Sequence, residues 1–326
     1  MISEKDYSRF NILLTGGTGF FGRSLLRNWL NQSITNKKIA NVCVLSRNPK
    51  LFLKKYPEFY GHNWLKFKKG DILNSHTLPK NEQFSHVLHA ATDSTLGPLL
   101  KPLCRYLQIV DGTRNILEYA VANRISRFLL ISSGGVYGTQ PKNMLDLSED
   151  YNGMPDPLKP EHSYSVGKRC AEHLCSLYRH NFGLQIVVAR CFAFVGKDLP
   201  LEAHFAIGNF IHDALNKSEI IINGDGSPVR TYLDQRDLAN FLTKILYEGL
   251  DGEAYNVGSD IQISIKDLAY LVRDILSPGK DVTIQSQEKK DYHNIYIPNI
   301  TKIKKNLGLE IKYNLKQAIY DAAFKI

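Results

Sequence analysis

An apolar run that breaks into glycines three residues apart, Asn11-Ile12-Leu13-Leu14-Thr15-Gly16-Gly17-Thr18-Gly19-Phe20-Phe21-Gly22, constrains this chain more than any other feature. Residues 11–14 read as a buried strand and residues 22–30 as an amphipathic helix. In the turn between them a side chain would obstruct both the tight bend and the approach of backbone N–H groups to an anion. The positive end of the helix would attract that anion. Strand, glycine turn and helix in this order open a βαβ unit. They make Gly16, Thr18, Gly19, Phe20 and Gly22 candidate contacts for the pyrophosphate of a dinucleotide. A plain strand-to-helix turn is the other reading of the same residues.

The rest of the first half fits a repeating βαβ pattern. Further strands are expected at 42–45, 64–68, 86–89, 127–132 and 185–190, with helices at 110–123 and 161–182. The fold class that follows is α/β, a Rossmann-type doubly wound parallel sheet with a smaller C-terminal α/β substrate domain. We expect the first domain over residues 1–188, with the chain returning to it around 229–250, and the second over 189–326. In the second half, helices are expected near 207–216, 237–249 and 265–275, with a turn at Asn223-Gly224-Asp225-Gly226 and a Lys-rich tail. Open sheets of this kind bind ligands at the carboxyl ends of their strands, and the motifs below fall there.

Composition narrows the class without naming a chemistry. With 326 residues, 43% hydrophobic and 22% charged, the chain has room for about two domains and an ordinary core. No run of about 18 apolar residues suggests a membrane span. The first ten residues carry Glu4, Lys5, Asp6 and Arg9 and do not read as a secretory signal, so a soluble, cytoplasmic protein is expected. Cys43, Cys104, Cys170, Cys175 and Cys191 are odd in number and lack a C-x-x-C pair, so we expect free thiols rather than disulfides or zinc. The histidines show no ligand spacing, and no metal is expected. The net charge of +9 comes from 41 basic and 32 acidic residues. The basic residues are scattered, as in Lys37, Lys38, Lys289 and Lys290, which suits a small anionic ligand or plain solvation better than nucleic acid.

Three further patterns carry chemistry. The strand at 42–45 ends in Ser46-Arg47-Asn48-Pro49, with no acid to grip a ribose 2′-hydroxyl. A hydroxyl followed by a guanidinium suits a 2′-phosphate, which slightly favours NADP over NAD. Arg47 stacked on adenine or lying on the surface stays open. Tyr164 and Lys168 are four apart in a helical stretch and share one face. An ammonium beside a phenol stabilises the phenolate and makes the tyrosine a usable acid or base, although the same spacing is common on helix surfaces. Ile131-Ser132-Ser133 ends an apolar strand in hydroxyls at the ligand edge of the sheet, where Ser133 can donate to the same substrate oxygen.

Together with Gly70-Asp71-Ile72, His89-Ala90-Ala91, Ser132 to Gly138, Gly224 to Arg230 and Tyr255-Asn256-Val257-Gly258, these motifs resemble, in order, the extended short-chain dehydrogenase/reductase family. That family comprises NAD(P)-dependent nucleotide-sugar epimerases, dehydratases and reductases. The resemblance implies that Asp71 and Ile72 line the adenine and that Ala90 and Ala91 line the cofactor backbone. It implies that Lys168 holds the nicotinamide ribose while tuning Tyr164, and that Ser133 supplies the second hydroxyl. It further implies that Arg230 pairs with the diphosphate of a nucleotide sugar, that hydride transfer occurs at a sugar carbon, most often C4, and that helices over 99–123 and 161–182 pair into a homodimer.

Departures from the family pattern narrow the reaction. Dehydratases place an Asp-Glu pair after the serine or threonine, where this chain has Gly134 and Gly135, so 4,6-dehydration is disfavoured. Arg190-Cys191-Phe192-Ala193 stands where R-Y-F-N is common, and the late arginine of the substrate lip is replaced by Asp291-Tyr292-His293-Asn294. A non-catalytic NAD(P)-binding regulatory or scaffold protein with the same fold is the rival expectation, since fold does not imply activity.

Overall fold

The structure is a computed structural model that describes residues 7–35, 38–92, 97–203, 205–286 and 294–325. Of the sequence features above, Glu4, Lys5 and Asp6, Lys37, Lys289 and Lys290, and Asp291 to His293 lie outside these residues. Elements follow in the order β1 (Asn11–Thr15), α1 (Phe20–Ile34), β2 (Asn41–Ser46), α2 (Pro49–Lys55), β3 (Leu65–Lys69), β4 (His86–His89), α3 (Pro102–Ala122), β5 (Arg127–Ser133), α4 (Ser163–Phe182) and β6 (Gln185–Cys191). The chain continues through β7 (Phe194–Val195), α5 (Ala206–Asn216), β8 (Glu219–Ile222), β9 (Val229–Thr231), β10 (Leu233–Asp234), α6 (Gln235–Glu248), β11 (Ala254–Val257), β12 (Gln262–Ser264), α7 (Ile265–Leu276), β13 (Asp281–Ile284), α8 (Thr301–Leu307) and α9 (Leu315–Phe324).

A seven-stranded sheet runs in the order β11-β6-β5-β4-β1-β2-β3. The β1–β2, β2–β3, β1–β4 and β4–β5 ladders are parallel, with Thr15 opposite both Leu45 and His89. This is the doubly wound arrangement expected from the alternating pattern. Strand order reverses between β1 and β4, so the turns leaving these two strands diverge and open a crevice at their carboxyl ends. Both sheet faces are covered, which is why Ile12, Leu13, Leu14, Val87 and Leu88 are all apolar and fully buried. On one face Leu13, Val87, Phe128 and Leu130 share a core with Ile109, Ile116 and Leu117 of α3 and Ala171 and Cys175 of α4.

Helix α3 begins earlier than the apolar pattern over 110–123 suggests and α4 slightly later than 161, and a proline stands at or just before each start. A 3₁₀ turn over Gly97–Leu99 precedes α3, which starts at Pro102. Another over Pro160–His162 precedes α4. Proline fixes φ for a first turn but donates no N–H, so it marks where a helix starts. The sequence reading contains no α2, although Asn48 accepts from Leu51 N and Pro49 fills the first helical position.

The chain divides into two compact units. The first comprises Met1–Val136, Asp156–Arg190 and Leu242–Ala254, and the second Tyr137–Pro155, Cys191–Phe241 and Tyr255–Ile326. The second unit is built from two-stranded ladders, β7 with β10, β9 with β12 and β8 with β13, and from α5, α7 and α9 packed on one another. Within it the Arg236 guanidinium bridges Asp234 at 2.7 Å and Asp321 at 2.6 Å. Asn256 ties the loop 137–155 down by accepting from Tyr137 Oη at 2.8 Å and donating to Leu147 O at 2.7 Å.

Gly22 packs the first turn of α1 directly on the loop before it, where a Cβ would lie 2.2 Å from Gly17 Cα. Backbone cannot yield as a flexible side chain does. We expect Gly22→Ala to destabilise the protein by about 2 kcal/mol or more, read as a lowered thermal midpoint; an unchanged midpoint would contradict this packing.

Candidate active site

The crevice at the carboxyl ends of β1 to β4 forms a cavity of about 280 Å³, entirely within the first unit. Gly16, Thr18, Gly19, Phe20, Ser46, Arg47, Asp71, Ile72, Ala90 and Ala91 all line it, so nearly every residue singled out from sequence as a cofactor contact reaches one wall. Gly22, Tyr164 and Lys168 are not among its lining residues; Gly22 supports the loop from behind. Gly16 has φ +72°, and a Cβ there would meet Ala90 O at 2.4 Å, so only glycine lets the first turn lie against the end of β4. Ser46 is buried and Arg47 exposed at the end of β2. Asp71 accepts from Leu73 N at 3.0 Å, which fixes the turn after β3.

Several features suit a dinucleotide. Helix α1 starts behind Gly19 with no side-chain cap and no acid in its first turn, leaving its N–H groups to an anion. A Cβ on Gly19 would meet nothing closer than Gly16 O at 3.4 Å, so the glycine rim stays low towards the cavity. Gln108 also lines the cavity, and its Oε1 is buried with no hydrogen-bond partner in the protein. A buried amide oxygen of this kind is costly unless a ligand donates to it. Gln108 and Thr92 carried no sequence signal of their own; each reaches the wall because its element passes the crevice.

Beside this cavity, α4 and β5 hold the second group of candidates, also within the first unit. Tyr164 lies in the first turn of α4 and Lys168 one turn later. Lys168 is 3% exposed, and its ammonium donates to Thr92 Oγ1 at 2.8 Å and to Ile131 O at 2.8 Å. Burying a lysine is expensive, and these acceptors hold the charge in place at the end of β5. Ser133 follows two residues after Ile131, and its Oγ accepts from Gly135 N at 3.1 Å. Gly135 makes room between hydroxyls, since a Cβ there would lie 2.6 Å from Ser165 Oγ and 3.4 Å from Ser133 Oγ. Arg230 belongs to the second unit, where Nη1 donates to Val229 O and Asn294 O and Nη2 donates to Asn294 Oδ1.

The Lys168 charge acts on a buried neighbour. Burial, with the Lys168 charge adding, pushes the pKa of His89 down to about 3. The Thr113 hydroxyl donates its proton to Ile109 O, so towards His89 Nε2 it accepts, and Thr15 Oγ1 donates to the remaining Nδ1. A neutral imidazole is thus fully bonded between β1 and α3. Glu172, one further turn along α4, receives Ser132 Oγ at 2.5 Å and a forked contact from Arg190 at 2.8 Å. Among the described residues no helix is long and apolar enough to cross a membrane, and no cluster of three or more His, Cys, Asp or Glu is placed to hold a metal ion.

Residues 12–258 match the model of a family described as NAD dependent epimerase/dehydratase. The chain is 30% identical over 292 residues to a dTDP-D-glucose 4,6-dehydratase of Dictyostelium discoideum, covering 84% of this chain and 64% of that protein. It is 27% identical over 320 residues to UDP-glucuronic acid decarboxylase 1 of Xenopus tropicalis, covering 98% and 72%. Thus the chain spans about two thirds of the length of these curated relatives. Its fold is similar to the crystal structure of UDP-glucose 4-epimerase with UDP-glucose from Thermotoga maritima, with TM-score 0.80, 22% identity, and 96% and 97% of the two chains covered. It is similar also to the dTDP-glucose 4,6-dehydratase DesIV of Streptomyces venezuelae with NAD bound, with TM-score 0.82, 22% identity, and 96% of each chain covered.

The neutral state of His89 has a pH signature. Its folded pKa is depressed from 6.5 to about 3, so its contribution to stability is complete above about pH 6.5 and is lost as pH falls towards 3. We expect the unfolding free energy to drop by about 2 kcal/mol from His89 alone between about pH 6.5 and pH 5. Urea titrations should show that His89→Gln flattens this slope; an equal slope would place the acid sensitivity elsewhere.

Proposed function

Because the chain belongs to the NAD dependent epimerase/dehydratase family, we propose that it is an NAD(P)-dependent nucleotide-sugar oxidoreductase or epimerase. Its reaction interconverts a secondary hydroxyl and a ketone at a sugar carbon, C4 being the position we favour. The observation that carries this reading is the Lys168 ammonium, fixed by Thr92 and Ile131 one helical turn from the Tyr164 phenol. A retired site has no physical need to bury such a charge.

In the proposed step the Tyr164 phenolate takes the proton of the sugar hydroxyl, and Ser133 hydrogen-bonds the same oxygen as it becomes a carbonyl. A nicotinamide cofactor, when bound, would accept the hydrogen on that carbon as hydride. In the reverse direction Tyr164 returns its proton to the oxygen. Lys168 keeps the phenol acidic enough to exchange protons near neutral pH. The loop Gly16 to Gly22, with Thr18 and Phe20, is our candidate for the pyrophosphate, with Asp71 and Ile72 for the adenine end and Ala90 and Ala91 for the cofactor backbone. Arg230 is the second unit's candidate for the diphosphate of the sugar nucleotide, a role that suits a bidentate guanidinium.

The absence of an acid or base at Gly134 and Gly135 favours epimerisation or reduction over 4,6-dehydration. Ser46 and Arg47 at the end of β2, a strand end that carries no carboxylate of its own, favour NADP over NAD. The exposed apolar side chains Leu103 and Leu107 on α3 and Leu177 and Phe182 on α4 support a homodimer through these helices. Five free thiols suit a reducing compartment such as the cytoplasm.

Assays with a panel of UDP- and dTDP-linked sugars, followed at the nicotinamide absorbance band and by product chromatography, test the activity. Tyr164→Phe should lower turnover by about 10²-fold or more while cofactor affinity holds; a variant that turns over normally would remove Tyr164 from the chemistry. Arg47→Ala should weaken NADP binding by about tenfold and leave NAD binding unchanged. Equal losses for both cofactors in calorimetry would count against a 2′-phosphate contact.

A further inference from the structure

We propose that Arg105 acts through Tyr164 as a positioning residue, its guanidinium lying against the phenol ring and stabilising the ionised form. The inference rests on the reading of Tyr164 as the proton-exchanging group. Arg105 belongs to the first turn of α3 and Tyr164 to the first turn of α4, two helices that pack along each other. Arg105 Cζ lies 4.5 Å from the centroid of the Tyr164 ring. The Nε of Arg105 is buried, and a Cβ on Gly97 would lie 3.5 Å from it, so the guanidinium also has a glycine backbone close beside it.

The direction of the effect follows from elementary electrostatics. The face of a neutral phenol attracts a cation through its quadrupole. On ionisation the ring and its oxygen share a full negative charge, so the same cation is attracted more strongly, and the pKa of the phenol falls. Lys168 lies one turn along the tyrosine's own helix, so each of the two helices brings a cation to this part of the site. Among the described residues, the elements around it also bring the ionisable groups Tyr106 on α3 and Glu161 and His162 in the turn Pro160–His162. The end of β5 contributes the neutral hydroxyls of Ser132 and Ser133. Glu161, the acid among them, is exposed and therefore screened by water. His162 Nδ1 is hydrogen-bonded to Asp156 O at 3.1 Å. An arginine suits the role because it is planar, stays charged across the working pH range and stacks on a ring. Its contact on the ring face also limits how the tyrosine rotates.

The test is the ionisation of Tyr164 itself, read without turnover. Phenolate absorbance is titrated for the full-length protein with bound NAD and for Tyr164→Phe, and the difference isolates Tyr164. Arg105→Met should move that step upward by about 0.5 to 1.5 pH units, with the acidic limb of kcat moving by the same amount. Arg105→Lys, which keeps a cation, should restore most of the shift; if the methionine variant does not fold, Arg105→Gln carries the same expectation as Arg105→Met. An unmoved Tyr164 step in the neutral variants overturns the role of Arg105 while leaving Tyr164 as acid or base. No Tyr164-dependent step below the ordinary phenol range in the parent protein overturns the Tyr164 reading, and the Arg105 inference falls with it.

Discussion

Backbone meets backbone where the turn after β1 passes the end of β4. A single added methyl group on Gly16 would lie 2.4 Å from Ala90 O, and one on Gly22 would lie 2.2 Å from Gly17 Cα. The parallel register that sets Thr15 opposite His89 fixes how closely these segments approach. Everything the first unit offers a ligand follows from that closeness. The loop stays low enough for α1 to present uncapped N–H groups, and the ends of β2 and β3 contribute Ser46, Arg47 and Asp71 to the same cavity.

Lys168 couples the site to the core. A buried ammonium that lost its acceptors would be strongly destabilising, so the burial that positions the charge also binds α4 to the end of β5 through Ile131 O. Its influence extends further, since the same charge helps to keep His89 neutral. The neutral ring in turn bridges Thr15 and Thr113. One turn beyond, Glu172 binds Ser132 and Arg190. Tyr164, Lys168 and Glu172 recur every four residues, so one face of a helix carries the phenol we propose to exchange protons, the buried ammonium and the carboxylate that anchors the neighbouring strands.

Much of this was legible because the signals are local. The strands and helices of the sheet read directly from apolar periodicity, and the glycine loop reads from the steric demands of a turn that no Cβ fits. Helix α2 was legible in principle from Asn48 and Pro49, a capping side chain followed by a proline at the first helical position. They directly follow Ser46 and Arg47, which line the cavity, so the ligand signal masked the helix signal. Helix α9 is likewise capped, with Asn314 accepting from Gln317 N, inside a tail whose lysines suggest only a solvated surface.

Sequence alone determined the doubly wound fold, the loop that suits a pyrophosphate and the placement of Tyr164 and Lys168 on one helical face, because each depends on residues within a turn or two of one another. Only the tertiary structure decided which acceptors hold Lys168, that Gln108 and Thr92 reach the cavity, that Arg105 lies over the Tyr164 ring, and how three stretches of chain combine into each unit. These contacts join residues far apart in the chain. Their geometry is set by how helices pack on the sheet, and no local pattern of side chains records it.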